Sequence, residues 1–286
     1  MVFGVGDERR LAELRPLVNK TVNISPAVLL GWGYPVLQRF GPWKDTVDNQ
    51  RQLDRVMYAE IAERRRAPDL AERSDVLSQL LQVGCDDSDR LSDPELRDQL
   101  VTLLLAGHET TATALSWTLH ELGRDQAQLV KAQAAADVGD DDYLEAVMKE
   151  AMRLHPVIPM VVRLLMQPAT IGGYDLPRGA TVGPSIIISH SREDNFDAPD
   201  TFRPERFLDG HVAANTWIPF SGGVRRCIGA GFSLMEGVAV LRQVLTTYDI
   251  AVPQGSHDFP KVRNITSVPA RGARILVHRR PGANAR

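Results

Sequence analysis

The chain has 286 residues, 43% hydrophobic and 24% charged, with 36 acidic against 33 basic side chains and a net charge of -3. This is the balance of a globular protein with a packed core, in one large domain or two modest ones. The missing basic excess argues against a nucleic-acid binder, no apolar run nears the roughly 18–20 residues that cross a bilayer, and MVFGVGDERR has too short an apolar core for a signal peptide; a reducing, cytoplasmic setting is the default expectation.

In chain order, Asp7 to Val22 reads as an amphipathic helix, with Leu11, Leu14, Val18 and Val22 at helical spacing. The Gly-, Pro- and aromatic-rich NISPAVLLGWGYPVLQRFGPW follows as a loop with short helical turns. Lys44 to Arg66 is helical and ends in ERRRAP, read as a solvated helix end whose arginines complement the dipole. SDVLSQLL makes a shorter helix, and GCDDSDRLSD, with Cys85 as an incidental loop residue, makes a turn. Ser92 or Asp93 then caps a helix with Pro94 at its first position and Glu95 behind it. Continuous from Pro94 to Gly123, that helix spans roughly 45 Å at 1.5 Å per residue. Its middle is apolar nearly all round, which places it centrally. Another helix fits Asp141 to Leu154. After Pro156 the sequence alternates β-branched runs with Gly and Pro, the texture of short strands and turns. A last long helix fits Gly229 to Thr247, strands and loops follow from Ile250, and residues 281–286 form a frayed tail. The expected class is mainly α with a minor β part (α+β).

Of the two cysteines, Cys227 sits in WIPFSGGVRRCIGAGFSLME, just ahead of the last helix. Gly222, Gly223, Gly229 and Gly231 permit backbone conformations closed to other residues and let the chain pass close to a flat ligand. The following helix N-terminus favours a thiolate. Arg225 and Arg226 are suited to carboxylates or phosphates, and Phe220 can shield the sulfur. These are the needs of a thiolate metal ligand whose partner carries acidic groups. A buried structural cysteine is the commoner fate, but it leaves the arginines and glycines unexplained. A phosphate cradle lacks its Gly-Lys-Ser/Thr ending.

FSGGVRRCIG resembles the haem-binding signature of the cytochrome P-450 haem-thiolate monooxygenases, with Phe220, Gly223, Arg225, Cys227 and Gly229 at its five defining positions. The resemblance implies that Cys227 is the proximal ligand of haem b iron and that Arg225 pairs with a haem propionate; a thiolate there favours O–O cleavage. AGHETT, Ala106 to Thr111, is similar to the family's oxygen-activation motif. Ala106 and Gly107 leave room beside the helix for a flat cofactor and a diatomic ligand. Glu109 and Thr110 are positioned to deliver protons, though Glu109 can equally serve as a salt-bridge partner. A zinc-protease reading of His108-Glu109 fails because position 112 is alanine. Glu150 and Arg153 meet on one helix face at i, i+3. With Arg206 of FRPERF they match the family network that supports the cysteine loop. Arg163 stands where the family often carries a second propionate-binding arginine, on a strand. Val157, Ile158, Met160 and Val161 border the substrate space or, more simply, belong to the core.

The resemblance implies one haem-thiolate monooxygenase domain over 1–286, the cytochrome P-450 fold with its long central helix over the haem and without the family's N-terminal third. It implies O2 and an apolar organic substrate, hinted at by Trp32, Tyr34, Phe40 and Trp43, and electrons from a separate partner, a ferredoxin with its reductase. The alternative expectation is a truncated, non-catalytic or unstable fragment of such an enzyme. The loss of covering elements predicts an exposed apolar patch.

Overall fold

The structure, a computed structural model, describes residues 8–22, 28, 34–83, 90–208, 210, 212–263 and 265–281. Cys85, Trp32, the turn at 84–89 and the tail from 282 lie outside the described residues. The chain forms two compact units, residues 1–109 and 110–286.

In the first unit, α1 (Glu8–Val22), α2 (Gly41–Arg66) and α3 (Val76–Gln82) are joined by the N-terminal part of α4 (Asp93–Arg124). Leu14, Leu17 and Val18 of α1 bury against Leu53, Met57 and Ile61 of α2, with Leu77 of α3 and Leu96 and Leu100 of α4 completing the cluster. The i, i+3 and i+4 spacings in α1 and the i, i+4 spacings in α2 and α4 put these residues on one face of each helix. A capping box opens α4: the Ser92 amide and hydroxyl donate to the Glu95 carboxylate at 2.8 and 2.7 Å. The basic end of α2 differs from its expected solvated state. Arg64 is only 4% exposed and pairs with Glu60 at 2.8 Å and Asp75 at 2.6 Å. It also donates to Ser78 Oγ at 2.7 Å. Arg64 is compensated by Glu60 of its own helix and by Asp75 at the start of α3, whereas Arg65 reaches Asp93 nearer the surface.

The second unit contains the rest of α4, then α5 (Gln126–Val138), α6 (Asp141–Leu154), α7 (Ile186–Ser191) and α8 (Ala230–Thr247). Among its described residues, eight short strands pair antiparallel in four two-stranded sheets: β1 (Arg163–Leu164) with β4 (Thr181–Val182), β2 (Ala169–Ile171) with β3 (Tyr174–Leu176), β5 (Tyr248–Ala251) with β8 (Leu276–Arg279), and β6 (Pro260–Arg263) with β7 (Thr266–Pro269). Gly172 and Gly173, both at positive φ, close the β2–β3 hairpin in two residues. The mainly helical architecture with small sheets agrees with the expected class.

Two helices depart from the sequence reading. The α5 segment carries no apolar stripe to announce it. Its alanines and glutamines favour helix, Asp125 caps it by accepting from the Gln128 amide at 3.0 Å, and Gly139 ends it in the left-handed conformation at φ 76°. The run Ile186–Ile188, expected to be a strand, is the start of α7; the Ser185 hydroxyl accepts from the Ile188 amide and supplies the cap.

The core of this unit gathers Leu129, Ala132 and Ala136 of α5, Leu144, Val147, Met148 and Ala151 of α6, and Val238, Leu241 and Leu245 of α8. At Gly237 a Cβ would come within 2.5 Å of Met148 Cε, so a side chain there would have to displace the tip of the buried Met148. Val157 joins this core, while Met160 is exposed.

Candidate functional site

Cys227 lies in the loop between a 3-10 turn at Gly223–Arg225 and the start of α8 at Ala230. The loop closes on itself: the Cys227 amide donates to the Phe220 carbonyl at 2.9 Å, Arg226 to Gly223 at 3.0 Å, and Ser221 to Ile218 at 3.0 Å. Gly223 sits at φ +67° with open space where a Cβ would be, so the glycine answers the backbone turn. Ser221, at φ 59°, takes the same region against the usual preference of a side-chain-bearing residue. Gly229 is the N-cap residue of α8, and a Cβ there would meet Cys227 Sγ at 4.0 Å.

The Cys227 thiol is free and exposed. Its neighbour Ile228 is 92% exposed, Val224 wholly so, and Phe232 and Met235 on the first turns of α8 are also open. Apolar side chains presented to water around a cysteine call for an apolar cover. Behind the loop the packing is firm. Phe220 and Trp217 contact the core, with ring centroids 5.8 Å apart in an edge arrangement. Trp217 stands 5.6 Å from Phe207 and donates its indole N–H to the Lys149 carbonyl at 3.1 Å.

Arg163, on β1, reaches this loop and donates to Ser221 Oγ at 3.0 Å and to the Val162 carbonyl at 2.9 Å. Among the described residues neither Arg163 nor Arg225 has a carboxylate partner. Two guanidiniums, a free thiol and exposed apolar side chains form a donor set that fits an anionic, largely apolar, iron-bearing cofactor such as haem.

Glu150, Arg153 and Arg206 come together in the buried interior. The Glu150 carboxylate accepts from Arg153 Nε at 2.7 Å and Nη2 at 2.9 Å, and from Arg206 Nε at 3.0 Å. The Arg203 amide adds a fourth bond at 2.9 Å. Remaining guanidinium N–H groups reach backbone carbonyls: Arg153 to His190 and Thr201, and Arg206 to Asp197. Phe196 lies under both cations, 5.2 Å from Arg153 and 6.0 Å from Arg206.

His190 went unnoticed in the sequence. It is 1% exposed, and its Nδ1 lies 3.2 Å from the Arg153 carbonyl while its Nε2 accepts from the Ile218 amide at 2.9 Å. These partners require the neutral ring with its proton on Nδ1. Burial holds the imidazole down at about 4, with the Arg153 charge acting in the same direction. Its only signal in the sequence is a histidine two residues past the apolar run Ile186–Ile188.

Ala106, Gly107, Glu109 and Thr110 occupy consecutive turns of α4. Ala106 and Gly107 are exposed, Glu109 is buried, Thr110 is half-buried, and a Cβ at Gly107 would meet nothing within 4 Å. The neighbouring Thr111 donates to Ser233 Oγ on α8 at 3.1 Å.

The family model for cytochrome P450 matches residues 2–277. A Mycobacterium tuberculosis chain assigned as cytochrome P450 135A1 is 50% identical over 285 residues, covering 99% of this chain and 64% of its own length. A Mycobacterium bovis chain assigned as cytochrome P450 135B1 is 41% identical over 282 residues, covering 96% of this chain and 60% of its own. The retinoic acid-bound structure of cyanobacterial CYP120A1 superposes with a TM-score of 0.81 at 25% identity, over 98% of this chain and 65% of that one. The chain thus spans less than two thirds of the length of these relatives.

Proposed function

This chain belongs to the cytochrome P450 family, and from that premise we propose that it acts as a haem-thiolate monooxygenase on an apolar organic substrate. Cys227 would hold the haem b iron through its sulfur. Arg225 and Arg163 would neutralise the propionates, Phe220 would keep water from the sulfur, and Gly223 and Gly229 would let the loop lie close to the ring. When bound, haem activates O2 with two electrons and a pair of protons, placing one oxygen atom in the substrate and the other in water. Thr110, together with Glu109, would move those protons, Thr110 through its hydroxyl, and Ala106 and Gly107 would leave room beside the helix. Glu150, Arg153 and Arg206 brace the loop from within. The electrons come from a separate ferredoxin and its reductase. Retinoic acid in the structural neighbour supports the apolar substrate class.

The observation that carries the proposal is the free, exposed Cys227 in a closed loop, beside two arginines without carboxylate partners among the described residues. The test is the absorption spectrum of the reduced, carbonyl-bound protein after haem loading, with peptide mapping of cysteine alkylation. A thiolate-type Soret band, protection of Cys227 and loss of the band in Cys227→Ala are expected. Alkylation of Cys227 at an equal rate with and without haem, and no such band, would refute it.

A further inference from the structure

We propose that His190 is a positioning residue for the cysteine loop: its Nε2 holds the Ile218 amide and so fixes where Cys227 presents its sulfur. The inference rests on the haem-thiolate reading above.

The chain of bonds is short. Ile218 accepts from the Ser221 amide at 3.0 Å, and Phe220 accepts from the Cys227 amide at 2.9 Å. Between these bonds Ser221 holds a positive φ of 59°, a conformation that needs its neighbours fixed. Ile218 is therefore the upstream anchor of the turn, and the acceptor for its amide is an imidazole nitrogen. His190 is itself held from the other side. Arg153 donates to its carbonyl at 3.0 Å, and the ring N–H at Nδ1 returns a bond to the Arg153 carbonyl at 3.2 Å. The adjacent Ser189 hydroxyl donates to the Thr216 carbonyl at 3.0 Å, so α7 grips the strand of chain entering the loop twice. By this route the Glu150–Arg153–Arg206 cluster is connected to the loop through one ring. Phe196, 6.1 Å from the ring in an edge arrangement, fixes its plane.

Two isosteric replacements separate this role from mere core filling. Glutamine places an acceptor oxygen where Nε2 stands and gives up the bond to Arg153. Asparagine places its amide where Nδ1 stands and cannot reach Ile218. The full chain, loaded with haem, is compared as parent, His190→Leu, His190→Gln and His190→Asn. Amide exchange at Ile218 and the reduced carbonyl spectrum are recorded for each. In His190→Leu and His190→Asn, Ile218 is expected to exchange about tenfold faster, the loss of one buried bond, and the thiolate-type band to give way largely to a displaced-ligand band. His190→Gln is expected to restore both. If Leu or Asn keeps the parental thiolate band, or if Asn restores it as well as Gln, the inference is overturned. A parent without the band refutes haem ligation itself, a result distinct from a parental band that His190 variants leave untouched.

Discussion

Replacing Glu150 by glutamine changes one atom and removes one charge at a position with 0% exposure. The carboxylate receives four N–H bonds of 2.7 to 3.0 Å, three from the guanidiniums of Arg153 and Arg206 and one from the Arg203 amide. An amide offers a single oxygen, and its NH2 would confront guanidinium donors on the other side. Two buried cations would then lack their only anion in that cluster. Breaking a buried pair by removing one partner costs about 3–5 kcal/mol. For a unit of 150–250 residues each kcal/mol moves the melting temperature by about 2–4 °C, so a fall of roughly 6–20 °C is expected. Urea unfolding followed by near-UV circular dichroism gives the free energy directly. Arg206→Met, which leaves the Glu150–Arg153 pair intact, should lose less. A Glu150→Gln loss below about 1 kcal/mol, in the range of an exposed pair, would refute the claim that this carboxylate balances both arginines.

Other consequences are as specific. Thr110→Ala should keep haem and the thiolate band but divert electrons to hydrogen peroxide or water; product formed per electron consumed measures this, and parental coupling would remove Thr110 from proton delivery. Acid stability should report His190, which is neutral in the fold and shifted from 6.5 to about 4 by burial, with the facing Arg153 guanidinium adding to the shift. Above pH 6.5 the ring is neutral in both states and adds no pH dependence. As pH falls from 6.5 toward 4 the unfolded chain takes up a proton that the folded chain refuses, costing up to about 3 kcal/mol, and below 4 the loss levels off. His120, also buried and lowered, contributes to the same slope. Urea midpoints between pH 4 and 7 should therefore fall less steeply in His190→Gln, and an unchanged slope would count against the buried neutral ring.

What the sequence alone reveals follows a physical division. The Cys227 loop was legible because its requirements are local: glycine at a positive φ, an arginine two residues before the sulfur, and a helix start just beyond. Glu150 and Arg153 were legible as an i, i+3 pair, and α1, α2, α4, α6 and α8 as apolar periodicities or capped starts. The α5 helix escaped because its partners bury alanines, which leave little contrast between faces. The α7 helix departs from the expected extended texture because three β-branched residues favour strand until Ser185 supplies a cap. Arg64 departs from a solvated helix end because its acids include one, Asp75, 11 residues away on another element. His190 shows the limit most plainly. Its ring bonds go to backbone groups 37 and 28 residues away, and a backbone N–H or carbonyl has no residue type to recognise. Residues that ligate or pair through side chains leave a chemical signature in the sequence. Those that hold a loop through its main chain, as His190 does from its place in Ser-His-Ser, leave only a polar residue with no patterned partner, and only the fold says what that residue is for.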